Sequence, residues 1–530
     1  MAALNQVLGK STAPEPPTRD VEGAMTAVHE RRALSLHTLT ADSPNDHDET
    51  RLPAPEQPLL TRLDEAGLAE LIERHIEYVD ATGRPVHLGS GFVRHYLMRS
   101  DGELPVVTAV ATTPMVLPDG TILAGHGLDR GRGIVFRIPD ALLALLPKRA
   151  ACTDHAVAAA MSWLIDEWLV DVATDYPGKC ILIATALTIL ERLLLPERPA
   201  LFVTAGQRGG GKTTALHMIS MATLGRRAAA CGWSTSEEER RKALFAYLGE
   251  GLPFLCWDNL SRGAAISCPS IEKALTAETY SDRVLGESQT RTVPALTVMA
   301  FTGNNCVPRG DLASRSLCVR LAVDRPDPEN RTFKHADPIG WTEANRGRAL
   351  ASLYTILLGN PRLRAARPAT AETRFKAWWH LVGSAVEHAA ELHAKDTTER
   401  VAALVADCPA CPPAAISFRS MFLVAEADEE QTSSLATVLD VLRDRWAAGF
   451  GSADVALFAG QATEEAIEFR AALEQASGKP LPIITPTAIT WRLKALKDAP
   501  VLIEGTTLAL RYAPDKAKNG GSFTVEAVRR

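Results

Sequence analysis

Cysteine, aromatic residues and long apolar runs are all scarce in this 530-residue chain. Nine cysteines, odd in number and irregularly spaced, do not make the dense, even framework of a secreted disulfide scaffold. The first twenty residues have no apolar stretch behind a basic start, so no signal peptide is read and a reducing cytoplasm is the expected compartment. The longest apolar stretch, Cys180 to Leu195, is broken by Glu191 and Arg192 inside the ~20 residues that a membrane helix needs. It reads as a buried helix, and no membrane partner is expected. A global positive field is missing too: the formal net charge is −6, so any contact with nucleic acid must come from a local basic surface. No repeat at a solenoid period occurs. What is present, 46% hydrophobic and 23% charged residues, is ordinary for a folded chain and excludes collagen-like or mostly disordered classes. The length predicts three or four structural units at roughly 100–200 residues each.

Residues 1–57 carry Ala13-Pro-Glu-Pro-Pro17 and the acidic run Asp46 to Glu49 with few aliphatic positions in register, and read as a flexible tail. Residues 58–140 read as a small mixed α/β unit with a turn at Leu117-Pro-Asp-Gly120, and 141–198 as a helical region packing on the section C-terminal to it. From 199 to 325 strand-like and helical runs alternate, the pattern of a parallel sheet with crossover helices. Residues 326–405 form a helical lid region, in which Thr342 is the expected N-cap of a helix stopped by Gly359 and Pro361. A linker, 406–433, leads to 434–530, where helices precede short strands and a small β-wing, a winged-helix-like module.

The α/β section holds the chemistry. Gly206-Gln-Arg-Gly209-Gly210-Gly211-Lys212-Thr213, followed by Thr214, fits the P-loop pattern: backbone amides surround phosphate oxygens, the lysine neutralises the outer phosphates and the threonine hydroxyl ligates Mg2+. Ala200 to Ala205 is the strand expected before it, and Lys212 to Met221 the helix after it. Phe254-Leu-Cys-Trp-Asp258-Asn259 is an apolar run ending in a carboxylate, placing Asp258 at the metal beside Thr213. Asn259 departs from the glutamate common at that place and cannot act as a base; Glu238, Glu239 and Glu272 stand as other bases without a feature that selects one. Ala295 to Phe301 leads into Thr302-Gly-Asn304, which makes Asn304 the expected γ-phosphate sensor. Arg315, with Arg309 in reserve, is expected to act on a neighbouring subunit's nucleotide, the plainer alternative being a surface salt bridge.

Taken together, Gly206 to Thr213, Phe254 to Asn259, Phe301 to Asn305 and Gly310 to Leu321 resemble the AAA+ ATPases of the superfamily-three helicase kind found in phage, prophage and plasmid replication proteins. The resemblance spans about 125 residues. It implies an ATP- and Mg2+-dependent ring ATPase, a homo-hexamer, that acts as a helicase or translocase on single-stranded or forked DNA in replication of a mobile element, with replication proteins as further partners. It also implies a DNA-gripping hairpin, for which Ser281 to Val293 is the matching interval, with Gly286 in the turn and Arg283 and Arg291 on the arms. The layout is similar to primase-helicase proteins lacking the primase half. The competing reading is a nucleotide-gated DNA-binding initiator, loader or defence-associated switch with little turnover, which Asn259 favours.

Outside that section, residues 486–530 carry eight basic and four acidic side chains. Arg492, Lys494 and Lys497 on one helix are therefore candidate DNA contacts, protein docking or solubility being the alternatives. Cys408-Pro-Ala-Cys411 is half of a zinc site with no second pair, His388 and His393 are spaced five apart and do not share a helix face, and Trp378 and Trp379 read as packing residues.

Overall fold

The structure, a computed structural model, describes residues 18–19, 25–31, 57–74, 77–80, 82–98, 104–205, 209–284, 289–322, 332–364, 374–404, 416–419, 421–422, 429–477, 481–497, 501–503, 506–515 and 520–527. The chain divides into two compact units, Met1–Phe422 and Leu423–Arg530. Among the described residues no helix is long and apolar enough to cross a membrane.

In the first unit, strands Thr18–Arg19, Met25–Arg31 and Gln57–Arg62 make a three-stranded antiparallel sheet. This corrects the expected tail at those positions. Met25 is buried with Leu68, Ile72, Val93, Tyr96 and Leu104, a core supplied by residues far along the chain, which the local composition of 1–57 does not reveal. Helices Glu65–Glu73 and Ser90–Leu97 complete it, the first capped by Asp64, whose Oδ1 accepts from Gly67 N at 2.7 Å.

After short strands between Ala109 and Arg137 and the helix Asp140–Ala144 come the helices α1 (Asp154–Trp163) and α2 (Tyr176–Glu191). Thirteen of the sixteen α2 residues are buried, which is why its sequence is apolar all round. Glu191 lies at its end, fully buried, accepting Val116 N on both carboxylate oxygens at 3.1 and 3.0 Å; burial raises its carboxyl well above the usual range.

The central section is built from β1 (Ala200–Ala205), α3 (Lys212–Leu224), β2 (Ala229–Gly232), α4 (Glu237–Gly249), β3 (Phe254–Leu260), the antiparallel hairpin β4 (Thr279–Arg283) and β5 (Thr290–Pro294), then β6 (Val298–Asn304) and β7 (Ser316–Leu321). Five strands form one parallel sheet in the order β2-β3-β6-β1-β7. Side chains alternate between its faces: Leu201, Val203 and Ala205 join one buried cluster with α2 and α3 residues, while Ala200 and Phe202 join another with Leu244 and Leu248 of α4. The same split holds for Val298 and Ala300 against Met299 and Phe301. Burial on both faces makes these strands unbroken apolar runs. From β1 the chain crosses to β2 on one side, and from its neighbour β6 it crosses to β7 on the other, the arrangement that opens a crevice at the strands' C-terminal ends.

Beyond the sheet, Asp337 caps α5 (Pro338–Ala344), accepting from Ile339 N and Gly340 N, and a break at Asn345 precedes α6 (Arg346–Leu358). Thr342 is therefore not the cap. It lies inside α5, buried, donating to Pro338 O at 2.7 Å and accepting Trp168 Nε1 at 3.2 Å, because Asp337-Pro338 starts the helix five residues earlier. Helix Ser384–Leu404 closes the region.

The second unit has its own core, centred on Val438, Leu439, Phe469, Leu473, Ile489, Leu493, Leu510 and Phe523. The helices Glu429–Arg445, Ser452–Ala459, Glu464–Ser477 and α7 (Pro486–Ala495) pack with a four-stranded antiparallel sheet that includes the long hairpin Thr506–Asp515 with Gly520–Ala527.

Candidate nucleotide-binding site

The end of β1 leads to Gly209 and Gly211, whose φ values of 74° and 87° lie in the left-handed region that a side chain disfavours. Gly206, Gln207 and Arg208 lie outside the described residues. Gly211 caps α3 without a side chain, and no acid stands in the first turn. The N–H groups of Lys212, Thr213 and Thr214 therefore keep the orphan donors and positive dipole end that suit an anion. Gly210 is buried, and Lys212, Thr213 and Thr214 are half-buried.

Lys212 Nζ donates to Asn304 Oδ1 at 2.7 Å, so the lysine and the expected sensor meet across β1 and β6. Burial pushes the ammonium below the usual lysine range, opposed by Cys306 and Asp258. Asp258, half-buried at the end of β3, accepts on Oδ1 from Thr302 Oγ1 and from Asn259 N, the latter at 2.8 Å. Thr302 is completely buried, and the β3–β6 register, Trp257 opposite Phe301, sets it beside the carboxylate. Sequence reasoning passed over this threonine; a hydroxyl one strand across from Asp258 was the signal. Asn259 is exposed, with φ 59°, at the bulge in β3 where the register with β6 shifts before Leu260 pairs with Gly303. Gly303 is required by space: a Cβ there would lie 2.8 Å from Cys306 Sγ and 2.9 Å from Leu260 Cβ.

A cavity of about 240 Å³ adjoins the loop, bounded by Gly209–Gly211, Thr214 and Met218 on one side and by Asp171, Val172, Phe333 and Pro338 on the other. Asp171 holds its far wall by accepting Lys334 N at 2.7 Å and His335 N at 2.9 Å, while Lys334 Nζ pairs with Glu167 at 2.7 Å and the His335 ring stacks on Trp341 at 4.0 Å. The contacts of Asp171 and Glu167 with Lys334 and His335 join segments more than 150 residues apart, and no local motif announces them.

The other expected residues fall differently. Arg315 does not project outward. Its guanidinium donates to Glu272 O, to Thr276 Oγ1 at 3.1 Å and to Asp311, its side chain is 17% exposed, and Asp311 also accepts Arg374 at 2.6 Å. The salt-bridge alternative describes it, because the short 3-10 helix Gly310–Arg315 brings its carboxylate partner within one turn. Arg309 is exposed. Glu238 and Glu239 both pair with Lys242, at 2.9 and 3.0 Å, and Glu272 accepts Ser267 Oγ and Cys268 N at 3.1 Å each, so all three have partners on or beside their own helices.

The hairpin exists, with its turn, including Gly286, outside the described residues. Asp282 stands opposite Arg291, and Arg283 opposite Thr290. Cross-strand partners share a face, so Arg283 and Arg291 point to opposite faces. Arg283 is exposed, Arg291 half-buried. In the second unit, Lys494 lies 4.4 Å over the Tyr512 ring, Lys497 is exposed, Arg492 is half-buried, and Trp491 beside it is 71% exposed. Among the described residues no group of three or more His, Cys, Asp or Glu could hold a metal by itself; Cys408 and Cys411 lie outside them. The Thr213 hydroxyl and the Asp258 carboxylate are oxygen donors of the kind a magnesium ion takes.

No family model and no curated protein matches the chain. Among solved structures it is similar to the A-form apo structure of the NrS-1 C-terminal region, at 10% identity and a TM-score of 0.35, covering 99% of this chain and 98% of that one. It is also similar to SCCmec type IV Cch, described as an active helicase, at 11% identity and a TM-score of 0.32, covering 81% and 77%. With TM-scores below 0.5, neither likeness bears on function.

Proposed function

We propose that the chain is an ATP-dependent ATPase of the P-loop, AAA+-like class that works as a helicase or translocase on single-stranded or forked DNA, in replication of a phage or other mobile element. The observation that carries the proposal is the meeting of Lys212, Asn304, Asp258 and Thr302 at the uncapped N-terminus of α3, in the crevice that the sheet topology opens. The amides of Gly209 to Thr214 bind the phosphates and Lys212 neutralises them. The base occupies the cavity next to Thr214 and Met218. Thr213 and Asp258 would hold a magnesium ion, which would supply charge neutralisation at the bound phosphates. Asn304, released from Lys212 as the γ-phosphate arrives, reads its presence. Arg309 replaces Arg315 as the group that reaches a neighbouring subunit of a homo-hexamer, and Arg283 presents charge to DNA from the outer face of the hairpin. The C-terminal unit serves as a winged-helix-like DNA contact through Lys494, Lys497 and Trp491. The protein works in the cytoplasm.

Asn259 favours a second reading. It supplies no base beside Asp258 and sits at a bulge within β3, which suits a nucleotide-gated initiator, loader or switch with little turnover. ATPase rates measured with and without single-stranded DNA separate the two. The motor reading predicts stimulation of about tenfold or more that vanishes in Lys212→Ala; equal slow rates with and without DNA would sink it and leave the switch.

A further inference from the structure

Arg198 is completely buried, two residues before β1, where a cation is costly unless its donors are met. Its guanidinium reaches backbone carbonyls from three segments. Nη1 donates to Leu195 O, beyond the end of α2, and Nη2 donates to Ala277 O at 3.2 Å and to Ala295 O. The backbone N–H of the same residue donates to Leu275 O at 3.0 Å. Burial lowers the guanidinium to about 10, with Glu197 and Glu278 opposing, so the group is charged near neutral pH and all its polar hydrogens are donors.

Ala277 lies two residues before β4, and Ala295 directly follows β5. One planar fork therefore bridges both roots of the hairpin, where Ala295 N also donates to Glu278 O at 2.9 Å, and ties them to the chain entering β1. Strands β1 and β6 are neighbours in the sheet. They are thus linked at both ends, by Arg198 with Ala295 where they begin and by Lys212 with Asn304 where they finish. Farther along the first arm, Arg241 of α4 donates to Asp282, and Asp282 Oδ1 also accepts Arg283 N at 2.7 Å. An apolar side chain in place of Arg198 would avoid the burial of a charge but would leave these carbonyls without their donor, and a lysine would offer a point charge where the guanidinium is a rigid fork.

We propose that Arg198 is a positioning residue that locks the root of the hairpin to the strand carrying the phosphate loop, so that hairpin and nucleotide site hold one fixed relation. That the hairpin contacts DNA rests on the function proposed above; the lock itself is measurable without DNA.

Hydrogen exchange on the full chain reads the lock directly. In the wild type, the amides of β4 and β5 should open together with those of β1 over a denaturant series, as one cooperative unit; a hairpin that opens far more readily than β1 overturns the proposal without any variant. Arg198→Lys keeps the charge and loses the fork, and should speed exchange in β4 and β5 by about tenfold or more while β1 and α3 stay protected. Unchanged protection of the hairpin overturns the proposal, and so does an equal loss in β1 and α3, which would make Arg198 a residue that only stabilises the fold. The second readout is ATPase activity against the concentration of a single-stranded oligothymidylate. Half-maximal stimulation of Arg198→Lys should need about tenfold more DNA, with its KM for ATP in the absence of DNA within about twofold of wild type. An unchanged DNA requirement, or equal shifts in both quantities, counts against the lock. Absence of stimulation in the wild type sinks the motor reading instead, and the exchange measurement then decides the lock alone.

Discussion

Replacing Thr302 by valine keeps the volume of a completely buried side chain and removes one hydroxyl. That hydroxyl donates to Asp258 Oδ1, whose other described donor is Asn259 N at 2.8 Å. A hydrogen bond to a charged group contributes about 1.5–3 kcal/mol, and the loss falls on the orientation of a carboxylate that the reaction needs fixed. If the whole of it appears in the transition state, turnover drops roughly 10- to 150-fold. Steady-state ATPase over a magnesium titration is the assay, with urea unfolding to show that the fold is kept. The expected signature is a higher magnesium requirement together with lower kcat, milder than the loss in Lys212→Ala. Turnover and magnesium dependence equal to wild type would refute the idea that Thr302 positions Asp258.

Other changes probe separate parts of the molecule. Gly303→Ala drives a Cβ to within 2.8 Å of Cys306 Sγ and 2.9 Å of Leu260 Cβ and should cost about 1–3 kcal/mol in chemical denaturation; Cys306→Ala in the same chain should recover part of it. Asp171→Ala frees the backbone of Lys334 and His335 at the cavity wall, so ATP affinity in calorimetry should fall several-fold while the rate at saturation stays close to wild type. Arg315→Ala should lower the unfolding midpoint, whereas Arg309→Ala should reduce ATPase activity in assembled protein. Glu191 binds its proton more tightly folded than unfolded, because burial raises its pKa. Its stabilising contribution is therefore complete below the unfolded value and shrinks as pH rises above it. Glu191→Gln, which does not ionise, should gain on wild type as pH rises above the usual carboxylate range in thermal unfolding; a pH-independent difference would contradict this.

The glycine-rich loop and the strands around it were legible because their physics is local. The central strands β3, β6 and β1 are buried on both faces and so are apolar along most of their length, and a loop whose φ reaches 74° and 87° uses glycine at Gly209 and Gly211. The meeting of Asn304 with Lys212 results from strand ends that share an edge. What the sequence hides is non-local. The strand Met25–Arg31 finds its core in Leu68, Val93 and Tyr96. Thr342 has every local credential of a cap, yet Asp337 takes the role because the proline after it begins a helix earlier. Arg315 looks free for a neighbour until the 3-10 turn brings Asp311 to it. The opposite facing of Arg283 and Arg291 depends on register, which the residue spacing leaves open until the turn is known.

The measurement that bears most directly on the central claim is calorimetric titration of ATP with magnesium into the full chain, wild type beside Lys212→Ala. One nucleotide should bind per chain in the wild type, with the heat lost in the variant at unchanged thermal stability. Absence of binding in the wild type, or equal binding by both, would contradict a triphosphate held at the start of α3.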